Sequence, residues 1–134
     1  ILLKRFIILC TRIAREKFSV SPEREKAFDM VRQFYVLVDN HFKEKKMVQD
    51  YADMLQRSPK TLSNLFTTCG LPSPLRIIHE RIEAEAKRLL LYSQKSAKEI
   101  TEILGFEDQA TFSRFFKKMT GESVSEYRKR EKQE

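Results

Sequence analysis

Two short strings constrain this chain more than any other feature. "LSNLF" at Leu62–Phe66 returns as "FSRFF" at Phe112–Phe116, fifty residues later, and "YADML" at Tyr51–Leu55 corresponds to "ITEIL" at Ile100–Leu104, forty-nine residues later. Self-similarity at a fixed period identifies a duplicated unit. The one-residue difference falls between the two strings of each copy, where a turn can absorb it. Each copy then reads as a short helix, a tight turn and a second helix that begins with a cap, which is a helix-turn-helix.

Capping signals divide the rest of the chain in the same way. Serine precedes proline at Ser21-Pro22, Ser58-Pro59 and Ser73-Pro74. Serine suits the N-cap, and proline suits the first helical position, where its missing N–H has no intrahelical partner to lose. Ser96 with Glu99 and Ser123 with Glu126 have capping-box spacing, and Asp108 can cap a further helix. The expected helices cover about 2–17, 22–44, 47–55, 58–69, 74–92, 96–104, 108–120 and 123–131. Val31, Phe34, Tyr35, Val38 and Phe42 form an apolar stripe on the second, and Ile78, Ile82, Ala86 and Leu89 point inward on the long one. Gly70 ends the 58–69 helix, and Gly105 and Gly121 supply turns between the last three. No stretch alternates as a strand does, so the fold class is all-α: two helix-turn-helix units, about 47–70 and 96–120, joined by a connecting helix and preceded by an N-terminal amphipathic helix.

The two second helices share one distribution of chemistry. In the later copy Phe112, Phe115, Phe116 and Met119 fall on one face at i, i+3, i+4, i+7 spacing, and Ala110, Ser113, Arg114 and Lys117 fall on the opposite face. In the earlier copy Leu62, Leu65, Phe66 and Cys69 point in, while Lys60, Ser63, Asn64 and Thr67 point out. An amphipathic helix with a solvated lysine face is the commonest element of any helical protein. Two copies with matching faces and matching upstream helices favour a functional surface instead. A major groove admits one helix, small residues such as Ala110 and Ser113 allow close approach, and Arg114 suits guanine as Gln109 and Asn64 suit adenine. Lys98, Lys117 and Lys118 suit phosphates, as do the backbone amides at the helix starts near Ser58 and Asp108. Arg128 is a further candidate phosphate contact.

Composition agrees without deciding the matter. The chain has 134 residues, a formal net charge of +7 and a pI near 9.5. A basic excess fits a polyanionic partner, though plain soluble proteins reach it too. Cys10 and Cys69 are far apart and lie in apolar helical patterns, which argues against a disulfide framework and for a reducing cytoplasm. His41 and His79 lack partners at metal-ligand spacing, so no metal and no cofactor is expected. No phosphate loop or nucleophile signature is present, and an enzyme is not expected. The run "ILLKRFIILC" is broken by Lys4 and Arg5 and is too short to span a membrane.

The second half, "ITEILGFEDQATFSRFFKKMTGESVSEYRK", resembles the DNA-binding domain of the AraC/XylS family of bacterial transcription regulators, and the resemblance extends over about residues 24–131. It implies two reading helices inserted into adjacent major grooves of double-stranded DNA, a nucleoid-associated cytoplasmic protein, and RNA polymerase as a further partner. Carried over by position, the first helix presents Lys60, Thr61, Ser63, Asn64 and Thr67, and the second presents Gln109, Ala110, Ser113, Arg114 and Lys117. Three positions depart from the family pattern: Asn64 where arginine is frequent, Gln56 where a turn glycine is common, and Val124 where proline is usual. By the same resemblance, residues 1–20 read as the last helix of an upstream sensing or dimerising domain, and 22–134 as the DNA-binding domain. The broad apolar side of 1–20 favours a homodimer over simple packing on the neighbouring domain. The competing function is a basic helical module that binds an acidic protein without reading DNA.

Overall fold

The computed structural model describes residues 22–132, and among them the chain is all-helical. The order is α1 (Pro22–His41), α2 (Val48–Met54), α3 (Pro59–Thr68), α4 (Pro74–Tyr92), α5 (Ala97–Ile103), α6 (Gln109–Thr120) and α7 (Val124–Lys132). The helix expected over 1–20, its dimerising role, the cap at Ser21 and Cys10 lie outside the described residues.

Caps set the helix starts where the sequence placed them. Ser58 is extended and its hydroxyl accepts from the Thr61 N–H at 3.1 Å. Ser96 and Glu99 close both halves of a capping box, at 3.1 and 3.0 Å. Asp108 accepts from the Thr111 N–H at 2.7 Å, Ser73 from the Arg76 N–H at 3.2 Å, and Ser123 from the Glu126 N–H at 3.1 Å. Each such bond satisfies a donor that the first helical turn leaves open, typically worth about 1 kcal/mol.

Contacts group the described chain into two units: 22–41 with Lys45–Ile78, and 79–132 with Phe42–Glu44. The first unit is built around aromatic rings. Phe34 meets Phe66 edge-on at 4.9 Å and Tyr51 at 5.5 Å, and Phe34, Phe66, Tyr51, Leu62 and Val31 are fully buried. Burial of each such side chain stabilises by about 1.5–3 kcal/mol, and favourable ring geometry adds about 0.5–1.5. The Tyr51 hydroxyl donates to the Lys45 carbonyl at 2.7 Å, so its polar tip keeps a partner at the edge of the core.

The second unit repeats the theme. Phe112 and Phe116 are fully buried with Ile100, Leu104, Ile78's successor Ile82 and Ala86, and Phe116 meets Tyr127 of α7 at 5.4 Å. Phe42 departs from expectation here. The sequence carried α1 through residue 44, but the helix ends at His41, and the buried Phe42 ring lies under the Arg81 guanidinium at 4.3 Å. A guanidinium over a ring face is attracted by the ring's electron-rich faces, so Phe42 has a cation–π partner within the second unit.

Candidate nucleic-acid interface

The two helix-turn-helix turns share one hydrogen-bond pattern. In the first copy Leu55 N–H donates to Tyr51 O, Gln56 N–H to Asp53 O, and Arg57 N–H to Ala52 O, at 3.0, 3.1 and 2.9 Å. In the second, Leu104, Gly105 and Phe106 donate to Ile100, Glu102 and Thr101 at 2.9, 3.1 and 3.1 Å. Every donor and acceptor is displaced by forty-nine residues. The six-to-one bond that closes each turn requires a left-handed residue just before it. That residue is Gly105 with φ 77° in the second copy and Gln56 with φ 56° in the first. A side chain in this conformation costs roughly 1–2 kcal/mol, so the first turn is held against its own local preference.

Each turn aims a helix with one buried and one open face. On α3, Leu62, Phe66 and Cys69 are buried and Leu65 is half-buried, while Lys60, Thr61, Ser63, Asn64 and Thr67 are all exposed. On α6, Phe112 and Phe116 are buried and Phe115 and Met119 half-buried; Gln109, Ala110, Arg114 and Lys117 are exposed and Ser113 is half-buried. The expected face assignments therefore describe two polar surfaces, one in each unit.

The phosphate candidates are less uniform. Ser58, Lys98 and Lys118 are exposed. Asp108 is exposed too, but its carboxylate accepts from both the N–H and the hydroxyl of Thr111, at 2.7 and 2.8 Å. The backbone bond to Thr111 is the main reason its pKa lies below the usual 3.8. An anionic cap at the start of α6 fills the site that a phosphate would otherwise take from the helix dipole. Arg128 points elsewhere: half-buried, it donates from Nε to the Leu90 carbonyl at 3.1 Å and from a terminal nitrogen to the Ser93 carbonyl at 3.4 Å. It thereby braces the C-terminal end of α4, where carbonyls lack intrahelical partners and a cation meets the negative end of the dipole.

One neighbour was not singled out from sequence. Arg57 is exposed immediately before the Ser58 cap, and its guanidinium donates to the Gln56 carbonyl at 3.0 Å. Its place two residues ahead of α3 was the available signal. His79 lies edge-on to Phe115 at 5.2 Å, and burial, then the nearby Lys118 charge, lowers its pKa. Among the described residues no cluster of three or more His, Cys, Asp or Glu could hold a metal, and no helix is long and apolar enough to cross a membrane.

Comparison with known proteins matches this geometry. A helix-turn-helix domain family model matches residues 51–130. The chain is 37% identical over 95 residues to the arabinose operon regulatory protein of Salmonella typhimurium, spanning 69% of this chain and 31% of that protein. It is 34% identical over 82 residues to the raffinose operon transcriptional regulatory protein RafR of Pediococcus pentosaceus, spanning 61% of this chain and 30% of that protein. Among solved structures, the C-terminal domain of AraT, a response regulator from Geobacillus stearothermophilus, matches with a TM-score of 0.67 and 29% identity over 75% of this chain and 84% of that chain. The chain thus spans about a third of the length of either curated relative.

Proposed function

This chain belongs to the AraC/XylS-type helix-turn-helix family, and from that premise we propose that α3 and α6 each enter a major groove and read base edges. It is a DNA-binding domain of the transcription-regulator type. The observation that carries the finer reading is the duplicated open face: at matching offsets, both helices turn small, polar or cationic side chains to solvent over an aromatic or aliphatic underside.

In the second unit Arg114 bonds guanine in bidentate fashion, Gln109 bonds adenine, and Ala110 and Ser113 admit the backbone to the groove. In the first, Asn64 reads adenine, with Lys60, Thr61, Ser63 and Thr67 around it. Lys98, Lys117, Lys118 and the open amides behind Ser58 bind phosphates and fix the register. Asp108 and Arg128 are left out, the one because it is an anion at the helix start and the other because it is bonded to α4. Acting as a regulator also entails a place at the nucleoid and communication with RNA polymerase.

The test begins with selection of a bound site from a random duplex pool, followed by titration of that site and of random duplex at two salt concentrations. Arg114→Ala is expected to cost about 1–3 kcal/mol on the selected site and to relax specificity at one base pair. Lys118→Ala is expected to weaken all duplexes alike and to lower the salt slope by about one. Equal losses on selected and random DNA for Arg114→Ala would rule out base reading by that side chain. Failure of the pool to yield any preferred site would return the reading to a basic module for an acidic protein.

A further inference from the structure

The last turns of α3 and α6 carry different chemistry at equivalent positions. Where α6 has Lys117 and Lys118, α3 has Thr67 and Thr68, and its last turn holds no basic residue. Both threonines are exposed, and each hydroxyl donates to the carbonyl four residues back. Thr67 Oγ1 meets the Ser63 oxygen at 2.9 Å, and Thr68 Oγ1 meets the Asn64 oxygen at 2.9 Å. A carbonyl only accepts, so each hydroxyl has committed its one proton to the helix. The bond also selects the rotamer, because a helical threonine divides between two χ1 wells according to whether Oγ1 reaches such a carbonyl. In the bonded well the oxygen lies against the helix backbone, and the γ-methyl is the group left free.

Position decides which of the two methyls matters. Lys60, Ser63, Asn64 and Thr67 lie at i, i+3, i+4 and i+7, the offsets at which a homeodomain reading helix touches bases. Thr68 lies about 100° farther round α3, off that stripe. Given the reading of α3 as a groove-inserted helix, on which this step rests, we propose that Thr67 is a specificity-determining residue whose γ-methyl packs on the 5-methyl group of a thymine. Thymine is the base that presents a methyl group in the major groove. The committed hydroxyl has no proton to give to purine N7, guanine O6 or thymine O4. Lys117 at the equivalent place in α6 ends in an ammonium suited to any phosphate, so one position serves sequence in the first unit and affinity in the second.

The full 134-residue chain, titrated against the duplex selected from a random pool, tests this. Each thymine is replaced in turn by deoxyuridine, which removes the 5-methyl and keeps every hydrogen-bonding group. One replacement is expected to weaken wild-type binding about fourfold, the contribution of one buried methyl-sized group. Thr67→Ser keeps the hydroxyl and removes the γ-methyl. It is expected to lose about fourfold on the thymine duplex and nothing further on that deoxyuridine duplex, because contacting groups do not act independently. Thr67→Val keeps a methyl without the hydroxyl and should remain sensitive to the same replacement, and Thr68→Ser should behave as wild type. Thr67→Ser that stays as sensitive as wild type to every replacement would overturn the proposal. So would a loss with Thr67→Val in a duplex set where no deoxyuridine matters, since the hydroxyl would then be accepting from adenine or cytosine. A pool without a preferred site sinks groove reading and this assignment together, whereas a preferred site without the methyl coupling sinks this assignment alone.

Discussion

The two helix-turn-helix copies keep the same backbone hydrogen bonds and differ in most of the side chains that solvent can reach, although Thr61 matches Thr111 and Ser63 matches Ser113. Tyr51 and Ile100, Leu62 and Phe112, and Phe66 and Phe116 occupy equivalent buried positions. Between them, Gln56 replaces glycine, Arg57 stands where Phe106 packs on Phe112 and Phe115 at 5.4 Å, and the neutral Ser58 stands where Asp108 caps with a charge. The second helices of the two copies diverge further: α3 carries one cation, Lys60, and α6 carries Arg114, Lys117 and Lys118. Orientation therefore resides in the buried face and the turn bonds, where the exchanges are mostly apolar, with the buried Thr101 at the position of Ala52. The open face is free to vary, and one scaffold can present two different polar surfaces.

Parity of the buried faces predicts the largest effect. Phe66→Ala and Phe116→Ala should each cost about 3–5 kcal/mol, measured by urea unfolding with amide exchange resolved by unit. A loss below about 1 kcal/mol at Phe66 alone would break the equivalence of the scaffolds. Divergence of the open faces is probed next. On a selected duplex Asn64→Ala should cost about half as much as Arg114→Ala, because a charge-assisted bond is roughly twice as strong as a neutral one. A larger loss at Asn64 would reverse the assignment of the stronger reader to the second unit.

The turns give a smaller and oppositely signed pair. Gly105→Ala forces a side chain into the left-handed region and should destabilise by about 1–2 kcal/mol. Gln56→Gly relieves the same conformation but loosens the unfolded chain, for a net gain of up to about 1 kcal/mol in thermal unfolding. Destabilisation by Gln56→Gly would mean that the glutamine side chain contributes something that its backbone strain conceals. The smallest effect separates the caps. The Asp108 pKa is lowered in the folded protein, so its stabilisation is complete above the ordinary value of 3.8 and is lost as pH falls through the folded value. Asp108→Asn should flatten the acid limb of the stability curve for the second unit, and Ser58→Ala should leave that of the first unchanged in shape. Identical acid limbs for Asp108→Asn and wild type would exclude a charged-cap contribution.

The faces of α3 and α6 were legible because helical periodicity is local and a buried stripe repeats every three or four residues. The starts of α3 to α7 were legible for the same reason, since a cap acts on an amide two or three positions away. Duplication made the pair of open faces readable as well, because two copies of a face are far less ambiguous than one. The family resemblance flagged Gln56 as unusual, but its left-handed φ became visible only with the turn's hydrogen bonds.

What the sequence determined by itself was the helical class of the described residues, the starts of α3 to α7, the repeat and the division of α3 and α6 into inner and outer faces. Tertiary structure alone decided that Arg128 braces carbonyls 38 and 35 residues away, that Phe42 leaves α1 for the Arg81 guanidinium, and that Val36 and Met54 border an open recess. The first set rests on interactions within one helical turn, whose partners are fixed by spacing. The second rests on partners brought together only after the chain has folded, and spacing does not specify them.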